Sequence, residues 1–150
     1  MAASATVGIQ QEGVTPTTRR LVMGARLLMG LMFLVLGLNG FLDFLPKPAT
    51  VPPAGAMAFF GAMVQTGYLF RLVKGTEVLV GALLLANRYV PLALALIAPV
   101  VVNIVLFHGF LAPGGIGPGL VVLLLELYLA WSYRAAFRPM LAARVTLDPK

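Results

Sequence analysis

The chain has 150 residues, 60% of them hydrophobic, and its eleven Lys and Arg against five Asp and Glu give a formal net charge of +6. With no Cys and one His, it cannot by itself hold an iron–sulfur cluster, a Cys-rich zinc site, or a thioether-linked or bis-histidine haem, and it cannot run thiol redox chemistry. The basic excess does not mark a nucleic-acid binder, because the cations flank apolar segments instead of clustering on a polar domain.

Residues 1–18 read as a disordered or extended tail, followed by a domain over 19–139 and a second tail over 140–150. Within the domain four segments are long and apolar: Leu21–Phe44, Tyr68–Ala86, Val90–Phe110 and Gly119–Phe137. A bilayer core requires about 20 apolar residues per helix, and turn-forming or charged stretches separate the segments, so four spans are expected. Leu92–Val102 and Leu120–Leu125 carry no charge, whereas a soluble bundle keeps a polar stripe on every helix. The first segment is too long for a cleavable signal peptide and lacks a small-residue cleavage site.

Between the first two spans, Ala54–Val64 is apolar, with Met57, Phe59, Phe60 and Met63, yet too short to cross. It should lie along the outer interface or dip back as a lid. Glycines 114, 115 and 117 make a flexible helix connection, because no Lys and no strand accompany them as a phosphate loop requires. The expected fold is therefore all-α: an integral membrane four-helix bundle with a short interfacial or re-entrant helix in the first outer loop. Arg19, Arg20, Arg88, Arg134, Arg138 and Arg144 fall on one side, against Lys47, Arg71 and Lys74 on the other. That bias puts both termini in the cytoplasm, with Trp131, Tyr133 and Phe137 in the cytoplasmic aromatic belt.

Depth along each helix then locates the polar residues. At about 1.5 Å per residue, Glu77 lies about 13 Å in from the outer end of its span, and Asn103 and Glu126 about 10 Å from theirs. Asn39 and Asp43 share a face at the outer end of the first span, and His108 is near the outer end of the third. Arg71, Lys74, Glu77 and Gly81 form one stripe; Asn103 and His108, five apart, point in different directions. Polar groups in lipid turn inward, so an outward-facing pocket is expected, with Asp43, Arg71, Lys74, Glu77, Asn103, His108 and Glu126 as candidate ligand-binding residues and no metal site. Each has a plainer alternative: a helix-locking ion pair for Glu77, interhelical hydrogen-bonding for Asn103, an interfacial anchor for His108. Glu126 has no cation on its own helix near its depth, so it needs a borrowed one or a proton. Pro99 removes a backbone bond to Ala95 and is a candidate bend.

Several strings resemble the DoxX family of small bacterial membrane proteins. Phe59-Phe60, Thr66-Gly67-Tyr68 and Glu77 followed by Gly81-Ala82-Leu83-Leu84-Leu85 are similar to the family's second-helix region. Asn87-Arg88-Tyr89-Val90-Pro91, Ala98-Pro99-Val100-Val101-Val102-Asn103-Ile104 and Phe107-His108 resemble its third helix, and Leu125 to Trp131 with Tyr133-Arg134 its fourth. The resemblance implies a four-helix protein of the bacterial inner membrane, in a family associated with quinone-linked thiosulfate oxidation and with thiol and oxidative-stress systems. Lacking Cys, this chain is not expected to do sulfur chemistry directly. The expectation is an accessory membrane subunit, with no covalent cofactor, with a quinone as candidate ligand, and with lipid and other membrane subunits or further copies of itself as partners. No catalytic activity is expected of the chain alone. The alternative is a structural or assembly subunit with no ligand of its own, to which the small residues Gly24, Gly30, Gly37 and Gly40 also point.

Overall fold

The computed structural model describes residues 15–46 and 50–141, and every regular element within them is helical. Helix α1 (Pro16–Leu42) starts at Pro16 and not at Leu21, because Thr15 caps it and Pro16 brings a preset φ to its first position. The Thr18 N–H donates to Thr15 Oγ1 at 3.3 Å. Arg19 and Arg20 therefore lie in the helix and not before it. At the other end Asp43 turns left-handed (φ 46°) and its N–H donates to Asn39 O at 2.9 Å. Asn39 Oδ1 in turn accepts from the Leu45 N–H at 2.7 Å, so its side chain serves the end of the helix.

The apolar stretch after Pro53 is a helix, α2 (Ala54–Gln65). Thr66 closes it: its hydroxyl donates to Met63 O at 2.7 Å and accepts from the Leu69 N–H at 3.0 Å. Gly67, at φ 76°, makes the reversal that a side chain would strain. Helix α3 (Leu69–Leu85) ends in a left-handed Asn87, with the Arg88 N–H donating to Leu83 O at 3.0 Å. Helix α4 (Val90–Phe110) runs on through Pro99, and a 3-10 turn at Pro113–Gly115 leads into α5 (Ile116–Ser132). The segment expected to continue to Phe137 stops at Ser132, and a one-turn α6 (Arg134–Phe137) follows. There Arg134 lies 4.9 Å over the Trp131 ring and donates to Trp131 O, a cation and an aromatic side by side at the helix end.

Three helical stretches are long and apolar enough to cross a membrane: Pro16–Leu42, Val90–Phe110 and Pro113–Ser132. Four spans were expected. The turns at Gly67 and Asn87 cut α3 to 17 residues, three of them Arg71, Lys74 and Glu77, and it does not stand with those three. Packing still joins all four long helices, since α3 lies along α1 and beside α4, and α5 touches α4 and α1.

The α1–α3 seam is close because it is built on glycine. A Cβ at Gly81 would sit 2.5 Å from Leu34 N and 2.8 Å from Gly30 O; one at Gly37 would sit 2.8 Å from Val78 N. Gly30 meets Leu84, Gly37 meets Val78 and Gly40 meets Lys74, an antiparallel register. In lipid the apolar surface gains nothing by leaving the solvent, so close van der Waals approach of this kind must hold helices together. A Cβ at Gly24, by contrast, would meet no neighbouring helix within 4 Å among the described residues. Met29 and Phe33 of α1, Val80 and Leu84 of α3, Leu94 and Ile97 of α4, and Val122 and Leu129 of α5 form the buried core. Outward, Leu27, Leu31, Leu92, Leu96, Leu124 and Leu127 are exposed, an apolar coat suited to lipid contact.

Candidate functional site: an apolar cavity with a polar wall

A cavity of about 630 Å³ opens at the end of the helices where α2 lies. Met32, Phe33 and Leu36 of α1 form one wall, and Phe70, Val73, Lys74 and Glu77 of α3 the next. From α4 come Val100, Asn103, Ile104, Phe107 and His108; from α5, Pro118, Gly119 and Val122. Helix α2 closes it with Ala56, Phe59, Phe60 and Met63, joined by the loop residues Thr50 to Pro53. The helix is fixed there by rings: Phe107 lies 5.6 Å from Phe59 and 5.1 Å from Phe60, centroid to centroid.

Four of the seven candidate residues meet here. Lys74 Nζ donates to Glu77 Oε2 at 2.8 Å, with Glu77 only 4% exposed and the stem of Lys74 laid over Gly40. His108 packs its ring against Gly115, in contact with the site of the missing Cβ, and its Nδ1 is 3.2 Å from Ala112 O. A carbonyl only accepts, so Nδ1 carries the proton in that contact and Nε2 of the neutral ring is left as an acceptor. Asn103, on the same helix, is an exposed residue of the cavity wall. The two α4 residues that differ in direction by sequence spacing thus stand at opposite edges of one lining stripe, with Val100, Ile104 and Phe107 between them.

The other three do not line the cavity. Asp43 is the exposed cap of α1, and Arg71 is exposed on α3. On α5, which begins at Ile116 and not at Gly119, Glu126 lies about 15 Å along the helix, past its midpoint and one turn beyond Val122, where the cavity lining ends. It is 6% exposed, and its Oε2 has no hydrogen-bond partner among the described residues.

Sequence reasoning placed neither Gly115 nor Phe107 in the site. A glycine run reads as a flexible connection, yet at Gly115 it makes room for an imidazole. Among the described residues no three His, Asp or Glu side chains come together to hold a metal ion. The arrangement suits an elongated, mostly apolar molecule whose polar end meets an ammonium–carboxylate pair, an amide and an imidazole acceptor. Comparison with protein families, curated proteins and solved structures gives no match for this chain.

Proposed function

We propose that the chain is a DoxX-like accessory subunit of the bacterial inner membrane, crossing it four times, that binds a quinone in the cavity beneath α2. The observation that carries this reading is the cavity itself: about 630 Å³, apolar on most sides, with Lys74, Glu77, Asn103 and His108 on its walls. α3 crosses with the others in this reading because its packed face lies along α1 and two of its three charges, Lys74 and Glu77, answer each other. Arg19 and Arg20, Arg88, and Arg134 and Arg138 all fall at the end away from α2, which makes that end cytoplasmic and the cavity outward-facing.

The residues fit a quinone headgroup. The Lys74 ammonium gives one of its three hydrogens to Glu77 and keeps others for a ring carbonyl, and the Asn103 amide is a further donor. His108 Nε2 accepts from a hydroxyl, and Phe59, Phe60 and Phe107 offer ring faces. A bound quinone supplies two-electron, two-proton carrying capacity. In this reading electrons reach it from a partner protein or from a cofactor bound non-covalently, because a chain with no Cys and one His offers no thiol, iron–sulfur or bis-histidine haem centre.

The test is purification of tagged protein in mild detergent, with mass spectrometry of extracted small molecules and of co-purifying proteins. A stoichiometric quinone is expected in the wild type and a large loss of it in His108→Ala. A fixed set of membrane partners with no quinone would overturn the ligand and leave a structural subunit.

A further inference from the structure

We infer that Glu126 is a proton-binding carboxyl group set into the core one helical turn from the cavity, a site separate from the Lys74–Glu77 pair. This rests on the membrane reading above, not on the ligand being a quinone. Two glutamates are almost equally hidden, at 4% exposure for Glu77 and 6% for Glu126. Glu77 has Lys74 Nζ at 2.8 Å, whereas Glu126 Oε2 has no partner and no cation pairs with the carboxyl group among the described residues.

What faces it makes the contrast sharper. Along α5 its neighbours on the core-facing line are Val122 and Leu129. α4 turns the uncharged Ala93, Leu94, Ile97 and Val101 into the core, and its Asn103 and His108 lie at the cavity. α1 contributes Arg26, 8% exposed and with its own Nε unpartnered, and the 3-10 turn contributes no titratable group. α3 contributes Lys74 and Glu77, which are bonded to each other.

A lone carboxylate in such surroundings costs several kcal/mol, and a carboxylic acid avoids most of that cost by keeping its proton. Glu126 therefore holds a proton in the resting protein. Val122 lines the cavity, and Glu126 follows it by one turn, about 6 Å along the axis, so the cavity is the nearest opening to the carboxyl group along α5.

Membrane vesicles carrying the full chain, treated with dicyclohexylcarbodiimide at mildly acidic pH and mapped by mass spectrometry, test this, since the reagent attacks protonated carboxyl groups in apolar surroundings. Glu126 should carry the adduct and Glu77 should not; in Lys74→Met both should. The infrared band of a neutral carboxylic acid should disappear in Glu126→Gln. An unlabelled Glu126 beside a labelled Glu77 in Lys74→Met overturns the inference, as does an infrared spectrum unchanged by Glu126→Gln. Failure of the membrane reading shows separately, as chain recovered in the soluble fraction.

Discussion

Lys74 and Glu77 sit three residues apart on α3, and their 2.8 Å contact is made where Glu77 is nearly closed to solvent. Lys74→Ala strips the carboxylate of the one side chain that bonds to it among the described residues and also removes the stem that covers Gly40. Breaking a buried pair from one side costs about 3–5 kcal/mol. The lower part of that range applies, because the Lys74 side chain keeps 20% exposure. Thermal unfolding in detergent should therefore show a lower Tm for Lys74→Ala, with much of the loss restored in the double variant Lys74→Ala/Glu77→Gln. Equal Tm values for wild type and Lys74→Ala would show that the pair does not hold α3 in place. The pair was legible in the sequence, because three-residue spacing on a helix brings two side chains onto one face. Its isolation from Arg71 was not, since Arg71 shares the stripe by spacing and yet is exposed.

At the scale of the element, the α1–α3 seam depends on backbone approach. Gly81→Ala would drive a methyl group into Leu34 N and Gly30 O, which are backbone atoms and cannot rotate aside. The helices must part, at a cost of about 1–3 kcal/mol. Gly24→Ala, on the same helix as Gly30 but with open space around it, should be neutral or slightly stabilising. The comparison is read from the two melting curves in detergent, and a Gly81→Ala curve that overlays the wild type would mean that α1 and α3 do not meet as described. Glycine content pointed to close packing from the sequence, but which glycines make it depends on register. Gly30, Gly37 and Gly40 face α3, and Gly24 falls where α1 has no neighbour.

For the whole molecule the open quantity is the number of crossings. Three helical stretches qualify by length and composition, and α3 is the fourth in the proposed topology. Four crossings put residues 1 and 150 on the same side, and three put them on opposite sides. Reporter fusions at the two ends, one active only in the cytoplasm and one only outside it, should both report the cytoplasm. Opposite readings would remove α3 from the membrane and with it the outward-facing cavity.

Composition and hydropathy alone determined that the regular elements of the described residues are helical and that the chain is apolar enough for lipid, since run lengths near the bilayer thickness and a shortage of charge are local properties. Spacing likewise put Lys74 and Arg71 on the stripe of Glu77, without choosing between them. Four things required the tertiary structure. α5 begins at Ile116 after the 3-10 turn, and the cavity reaches only to Val122, which leaves Glu126 one turn beyond it. Asn39 turns to cap a helix end, and His108 finds its seat on Gly115. Phe107 brings α2 down over the cavity through Phe59 and Phe60. Each depends on how a helix ends or on what its face meets, and hydrophobic periodicity specifies neither: it gives the face of a helix alone.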